Sequence, residues 1–218
     1  MAAFGMVKGG IPMLKRIALL SAFLSLPVAA QAEPINVAVG KTVTLNGVFG
    51  VLNNLCCGWD PLDPVAPAAS VTDEVFLPAS TVWQDGTVWW DATNLASASN
   101  SVEIDLGGTY DIIGFIAQGD DNDSYRIEYQ NAALTWVTAW DLPIVGGFGQ
   151  QTRPNVNDVS EIFLLGAPIT TSRLRYTATA GDGFYSVSEI QAFVPEPSMM
   201  ALLGLGVVAQ AARRRRRS

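Results

Sequence analysis

The residue types present exclude several catalytic classes. The sequence contains no histidine, which removes a Ser-His-Asp triad, a Cys-His pair and histidine-ligated zinc. The two cysteines, Cys56 and Cys57, are adjacent, and two neighbouring thiols neither build a disulfide framework nor make a good zinc site. Neither a phosphate-binding loop nor a dinucleotide-binding glycine pattern is present. Carboxylates, amides and aromatic rings therefore carry the chemistry of this chain.

The acidic residues suggest two kinds of chemistry. A pair of carboxylates about 5–9.5 Å apart hydrolyses glycosides, but with 19 acids between residues 33 and 194 the sequence singles out no pair. The run Asp120-Asp121-Asn122-Asp123 partly matches a calcium-binding loop, although the glycine and the later glutamate of such a loop are missing. Because Asp and Asn favour turns, a hairpin turn is the preferred interpretation.

Aromatic side chains near predicted loops suggest sugar binding, which needs aromatic platforms beside polar groups. The candidate ligand contacts are Trp59, Trp89, Trp90, Arg126 and Tyr185, and Trp83 lies in the same region. In the alternative interpretation the rings pack beneath long loops and Arg126 pairs with an acid such as Glu128. Neighbouring residues of a strand point to opposite faces, so at most one of Trp89 and Trp90 is expected in the core.

The elements that must position these residues are predicted to be strands. Ser101–Leu106 alternates cleanly, with Val102, Ile104 and Leu106 on one face. Similar short segments, separated by turn residues, are Val37–Leu45, Glu74–Leu77, Thr87–Trp90, Asp111–Gln118, Tyr125–Tyr129, Thr135–Trp140, Glu161–Leu165, Arg173–Thr179 and Tyr185–Phe193, with a turn at Gly107-Gly108 and a long loop over residues 53–72. None has a convincing helical period, and the spacing predicts an all-β, two-sheet sandwich or jelly roll.

The N-terminal segment is typical of a secretory signal. Lys15 and Arg16 precede the apolar stretch Ile17–Ala30, and Ala30-Gln31-Ala32 fits the small-x-small cleavage pattern. Residues 1–32 are therefore predicted to be a signal peptide, which leaves Glu33 as the mature N-terminus.

The C-terminal segment has three parts: Pro195-Glu196-Pro197, an apolar run from Ser198 to Ala212, and five arginines. The apolar helix would cover about 22 Å of a roughly 30 Å hydrocarbon core. A basic tail for nucleic acid is the alternative. Residues 33–194 carry five basic residues against 19 acids, a net charge of −14, and an acidic body argues against nucleic acid.

These three parts in this order, with a signal peptide, resemble the PEP-CTERM sorting signal of exported proteins in Gram-negative bacteria. The resemblance implies that an exosortase processes the chain near the Pro-Glu-Pro motif. It also implies that the membrane segment and the arginines hold the tail only until processing; these residues are Pro195, Glu196, Pro197, Arg213, Arg214, Arg215, Arg216 and Arg217.

The order of motifs along the body resembles the discoidin, or coagulation-factor type C, branch of the galactose-binding-like sandwiches. The matching segments are Asn36–Lys41, Val71–Asp73, Trp89-Trp90, Ser101–Gly107, Arg173–Thr179 and Gly183–Phe193. The resemblance implies a jelly-roll β-sandwich and a structural calcium ion at Asp73 and Glu189. The alternative is that Asp73 caps a turn and Glu189 lies on the surface. This chain has Asp73-Glu74 where the family has Asp-Gly.

The sequence therefore predicts a signal peptide over residues 1–32, a discoidin-like sandwich over 33–193 and a sorting signal over 194–218, with a helix at each end. The expected function is an exported, non-catalytic module that binds polysaccharide or glycan at the cell envelope or in the extracellular matrix. The expected partners are the exosortase, the glycan and, before processing, the membrane, but no nucleic acid. A structural surface protein without a sugar site, or a glycan-active hydrolase, is the alternative.

Overall fold

The structure is a computed structural model that describes residues 33–51, 64–93 and 99–196. Nine strands run through these residues: β1 Ile35–Asn36, β2 Thr42–Asn46, β3 Val88–Asp91, β4 Ser101–Asp120, β5 Ser124–Gln130, β6 Trp136–Leu142, β7 Gln150–Arg153, β8 Phe163–Ala180 and β9 Phe184–Val194. A short 3-10 helix, Ala68–Thr72, lies between β2 and β3. Within the described part of the chain no helix is long and apolar enough to cross a membrane. The two predicted terminal helices fall outside it.

The strands form a β-sandwich, as predicted. One layer joins β2, the first part of β4, the last part of β8, β5 and β6. The other joins β7, the last part of β4 and β9, with β1 and β3 on the far side of β9. The 20-residue β4 and the 18-residue β8 contribute to both layers, so two long strands tie the sandwich together.

The core lies between the layers. Val102, Ile104 and Leu106 share the inner face of β4, as their alternation predicts, and each is at most 1 % exposed. They belong to one apolar cluster with Leu174 of β8 and Val187 of β9. Burial of this surface is the main favourable term in folding.

Two predicted elements divide differently in the structure. The predicted strand Val37–Leu45 is interrupted by a turn, in which Gly40 has φ +63° and the Lys41 amide donates to the Ala38 carbonyl at 3.1 Å. Conversely, Gly107-Gly108 is not a turn. β4 continues through it with an irregular register, because β8 pairs with β4 on both sides of these glycines.

The predicted strand Glu74–Leu77 is absent, and a side chain takes the place of a strand partner. The Leu77 amide donates to Gln118 Oε1 at 2.8 Å, and Gln118 Nε2 donates to the Leu77 carbonyl at 2.9 Å. This pair of bonds satisfies the backbone of the loop without a ladder. β7 is not predicted from the sequence, because its four polar residues give no apolar alternation.

Candidate functional site

Three loops meet at one end of the sandwich and enclose a cavity of about 90 Å³, here called the end pocket. They are the β4–β5 hairpin, the β8–β9 hairpin and the segment that precedes β7. A fourth segment, before β3, supplies a tryptophan. The lining residues are Trp83, Asp120, Asp121, Asn122, Phe148, Gly149, Asp182 and Phe184. The pocket therefore combines three aromatic rings with three carboxyl groups.

The two hairpins are joined by polar contacts. Asn122 Nδ2 donates to Asp182 Oδ2 at 3.0 Å, and the Asp182 amide donates to Asp123 Oδ1 at 3.3 Å. A side chain at Gly181 would overlap the Asp123 carboxylate, so glycine permits this close approach. These contacts hold the two hairpins side by side.

The aromatic wall is held by the start of β7. The Gln150 amide donates to the Thr81 carbonyl at 2.8 Å, and a Cβ at Gly149 would collide with that same carbonyl. The loop containing Trp83 therefore lies directly beside Phe148. Trp83 is buried at the base, with its ring centroid 5.6 Å from that of Phe184. Phe148 is 50 % exposed at the rim.

A fully buried guanidinium supports the floor of the end pocket. Arg153 of β7 is 0 % exposed. It donates to the carbonyls of Pro143 at 3.0 Å, Gly119 at 3.1 Å, Gln151 at 3.1 Å, Asp120 at 2.6 Å, Asp121 at 3.5 Å and Asp123 at 3.1 Å. The side chain thus satisfies the backbone of the β4–β5 hairpin rather than forming an ion pair with its carboxylates.

Two carboxyl groups at this end are held in an environment that disfavours their charge. Burial, reinforced by the charge of Asp121, raises the pKa of Asp120 to about 7. Burial and the charge of Asp120 raise the pKa of Asp123 to about 8, although the Tyr125 hydroxyl donates to Asp123 Oδ2 at 3.0 Å. Asp120 lines the end pocket whereas Asp123 does not, so Asp120 is the group that a ligand reaches.

The predicted tryptophan platforms Trp89 and Trp90 are both buried, each 2 % exposed. The expectation that at most one would be buried is wrong because both faces of β3 are covered. Trp83 packs edge-on against Trp89 at 5.2 Å between ring centroids, while Phe49 and Tyr185 pack against Trp90. Neither indole lies open for stacking on a sugar.

The other predicted ligand contacts do not converge. Tyr185 is half-buried against Trp90 and Tyr125. Arg126 pairs with Asp141 of β6 at 2.6 Å rather than with Glu128, and Trp59 lies outside the described residues, as do Cys56 and Cys57. Neither Tyr185 nor Arg126 lines the end pocket.

The predicted metal ligands, Asp73 and Glu189, do not line the end pocket. Asp73 follows the 3-10 helix, and its Oδ1 accepts from the Val75 amide at 2.9 Å, so it does cap a turn. Glu189 of β9 is 0 % exposed, so it is not the surface residue that the alternative assumed. Neither Glu189 carboxylate oxygen has a partner in hydrogen-bonding geometry.

The electrostatics at Glu189 follow from this burial. Loss of solvation raises its pKa to about 8; the Gln191 side chain lowers it, and the negative charge of Asp73 raises it further. Among the described residues no three Asp, Glu or Cys side chains lie close enough together for a metal cluster, so a cation here would also need backbone carbonyl oxygens. The adjoining Glu74 has φ +64°, a left-handed conformation that glycine adopts without steric cost. Glycine stands at this position in the discoidin family that the sequence resembles.

Most of the end pocket does not follow from the sequence. Asp120–Asp123 is predicted as a turn, and that turn supplies the acidic side of the pocket. No sequence pattern singles out Phe148 and Phe184, because only the pairing of β7 and β9 with β4 brings them beside Trp83. The asparagine, aspartate and glycine residues at 120–123 and 181–183 mark each segment as a turn, but only the fold shows that the two turns are neighbours.

Residues 193–217 match the model of the PEP-CTERM protein-sorting motif. The chain carries a PEP-CTERM motif. Within the described residues, the Pro195-Glu196 start of this motif follows directly on β9, where Val194 pairs with Ile35 of β1. Pro197 and Arg213–Arg217 lie outside the described residues. The PEP-CTERM motif indicates an exported and sorted protein.

Solved structures similar to the body of this PEP-CTERM chain include three family 32 carbohydrate-binding modules. The module of Clostridium perfringens NanJ, in complex with galactose, is 13 % identical with a TM-score of 0.48 over 74 % of this chain and 100 % of that one. CpGH89CBM32-5 of the same species, in complex with GalNAc-β-1,3-galactose, is 14 % identical with a TM-score of 0.46 over 73 % of this chain and 100 % of that one. The module of Streptococcus pneumoniae EndoD is 14 % identical with a TM-score of 0.44 over 72 % of this chain and 98 % of that one. No curated protein sequence matches the chain.

Proposed function

We propose that this protein is an exported, non-catalytic module of a Gram-negative bacterium that binds a glycan in the end pocket. The observation that carries the proposal is the composition of that pocket, where Trp83, Phe148 and Phe184 meet three aspartates contributed by two hairpins. Aromatic faces that stack on sugar rings, beside a few convergent polar groups, are the usual make-up of such sites. Carboxylate oxygens are strong acceptors for sugar hydroxyl groups.

The position of the end pocket suits a chain held by its C-terminus. Phe184 begins β9 at the pocket, and Val194 ends β9 beside the PEP-CTERM motif. The 11 residues of β9 separate the two by roughly 35 Å. We propose that residues 1–32 are a signal peptide, 33–193 the binding module and 194–218 a sorting signal that an exosortase processes near Pro195–Pro197. Until the tail is processed, the pocket then lies at the end of β9 that is farther from the membrane.

We further propose that a calcium ion stabilises the loop around Asp73 and the middle of β9. A buried carboxylate with two unpartnered oxygens fits this ion, because calcium accepts carboxylate and carbonyl oxygens in flexible geometry. Glu189 and Asp73 would supply the charged ligands. The ion's contribution would be structural, since the end pocket lies at the start of β9 and Glu189 lies five residues further along.

The glycan proposal predicts that Phe148→Ala weakens binding about tenfold, equivalent to roughly 1.4 kcal/mol. The half-exposed ring at the rim is the side chain placed to stack on a sugar, and its removal leaves the core intact. The measurement is a screen of the purified full-length chain against polysaccharides, followed by calorimetry on the best ligand. Leu164→Ala is the matched control, since Leu164 is 65 % exposed and does not line the end pocket. Equal affinity in both variants, or no glycan binding at all, contradicts the proposal.

A further inference from the structure

We propose that β1 controls access to the sorting signal: the processing enzyme engages the backbone around residues 193–197 as an extended strand, and β1 must leave β9 before it does so. This inference rests on the proposed function, because it assumes that the tail is processed near Pro195–Pro197. Its basis is the corner of the sandwich where residues 35–37 pair with residues 192–194, here called the β1–β9 corner.

The sorting motif begins inside the folded sheet. The residues that match the PEP-CTERM model start at Phe193, and β9 extends to Val194. Phe193 pairs with Asn36 of β1 on one side and with β4 on the other. Val194 pairs with Ile35, and Pro195 follows with no residue between the sheet and the Pro-Glu-Pro motif. An enzyme that processes this motif therefore meets the folded body at once.

The strand edge that such an enzyme needs is occupied by β1. The Val37 amide donates to the Ala192 carbonyl at 2.8 Å. Because backbone groups alternate in direction along an antiparallel strand, Val194, two residues further on, also directs its N–H and C=O groups toward β1. An extended substrate binds a partner strand through these same groups. Val194 therefore pairs either with Ile35 or with the enzyme.

β1 is short enough to leave β9 while the core stays folded. It has two residues, and Ile35 is 42 % exposed, so its departure uncovers little additional apolar surface. Pro34 before β1 and Pro195 after β9 have no amide proton, so the ladder gains no donor from either residue. In the proposed mature chain only Glu33 and Pro34 precede β1, which leaves this strand held at one end.

One side chain supplies much of the attachment of β1. Asn36 Oδ1 accepts from the Ala192 amide at 3.2 Å and from the Ala38 amide at 3.0 Å. Its Nδ2 donates to Glu74 Oε1 at 3.1 Å. Asn36 thus joins β1 to β9, to the turn that follows β1 and to the loop after the 3-10 helix. Loss of this side chain should raise the fraction of molecules in which β1 has left.

The β1–β9 corner also has room for an incoming strand. A groove of about 420 Å³ lies beside it, and Glu33 and Pro34 form part of the groove wall. Departure of β1 carries these two residues away and widens the groove. The apolar side chains that line it are Ile116, Val159, Ile162 and Phe193. The enzyme's strand would therefore lie against an apolar surface that is continuous with the first residue of the sorting motif.

The test joins β1 to β9 by a disulfide in the full-length chain. Ile35→Cys and Val194→Cys are combined in a parent chain that carries Cys56→Ser and Cys57→Ser. Facing residues of an antiparallel ladder have Cα atoms about 5.5 Å apart, which is within disulfide range. Intact mass spectrometry follows the loss of the tail in Gram-negative cells that carry an exosortase. We expect the disulfide-linked chain to lose its tail at least tenfold more slowly than the parent, and dithiothreitol to restore the parent rate within twofold.

The matched control joins a ladder outside the β1–β9 corner. Thr42→Cys with Asp105→Cys links two exposed, paired residues of β2 and β4 and should leave the rate unchanged. Equal slowing by both disulfides, or tail loss at the parent rate in the chain linked at the corner, would overturn the inference and leave the proposed processing standing. A parent chain that retains Arg217 would remove the proposed processing and this inference with it.

Two further variants test the direction of the effect and its cause. Asn36→Ala should lose the tail at least threefold faster, because the rate follows the fraction of molecules that are competent to bind. The disulfide-linked chain with Gly-Ser-Gly-Ser inserted between Val194 and Pro195 should recover the parent rate, because the motif is then extended beyond β1. An Asn36→Ala rate no faster than that of the parent, or a linked chain that stays slow despite the insertion, would contradict the inference. Thermal melts confirm that each variant is folded.

Discussion

Replacing Arg153 by Met is expected to lower the free energy of unfolding by at least about 4 kcal/mol, a large effect for a single substitution. The side chain is 0 % exposed and its guanidinium serves six backbone carbonyls around the β4–β5 hairpin. Met is unbranched like Arg but shorter and without a donor, so these acceptors lose their partners inside the protein. The guanidinium also lies 5.5 Å from the Tyr125 ring centroid, a contact that Met does not replace.

Urea denaturation of the full-length chain measures this effect. Arg126→Met is the matched control, because its pair with Asp141 is solvent-exposed and such pairs contribute about 0–1 kcal/mol. Arg153→Lys keeps the charge without the fork of donors, so an intermediate loss is expected. A loss below about 1 kcal/mol in Arg153→Met would show that the hairpin does not depend on the guanidinium.

The second large effect concerns Glu189 and the pH. In a chelator, the stability of the wild-type chain should fall as the pH rises from about 4.5 to 8. The folded state holds a proton on Glu189 up to a pKa of about 8, whereas the unfolded state releases it near the ordinary value of 4.5. Unfolding therefore releases a proton across this window, and each such carboxyl contributes a slope of about 1.4 kcal/mol per pH unit. Asp120 and Asp123, whose pKa values are raised to about 7 and 8, act in the same direction.

Glu189→Gln removes one of these slopes and should make the chain more stable than wild type at pH 7.5 in chelator. With calcium the order should reverse, because the wild-type carboxylate gains a cation and the amide does not. Thermal melts at pH 5, 6, 7 and 8, each with calcium and with chelator, measure both effects. Glu33→Gln is the control, since Glu33 is exposed and distant in sequence from the loop at Asp73. If the melting temperature of the wild-type chain is the same with calcium and with chelator, the calcium proposal is wrong. The predicted dependence of stability on pH does not rest on calcium and would be unaffected.

The fold was predictable where burial alternates along the chain. Ser101–Leu106 has one buried face, and its alternation predicts both the strand and the inward residues. β9 is different, because consecutive residues from Ser186 to Ala192 are all buried. No alternation indicates which of them faces which layer, so the burial of Glu189 does not follow from periodicity. Only the family resemblance drew attention to that residue.

The candidate site was less predictable because it depends on contacts between distant segments. Trp89 and Trp90 are plausible platforms until Trp83, Phe49 and Tyr185 cover them. These three side chains come from three separate segments of the chain, and only strand pairing brings those segments together. In the same way, the acids at 120–123 form a turn in the sequence and one wall of a pocket in the fold.

Binding in the end pocket is tested most directly by titrating the ¹⁵N-labelled full-length chain with the glycan that binds best. The largest amide shifts are expected at residues 120–123, 147–149 and 182–184, which surround the end pocket. These shifts are expected to weaken in Phe148→Ala. Shifts confined to another surface, such as the groove beside Trp140 and Phe163, would contradict the assignment of the end pocket as the ligand-binding site.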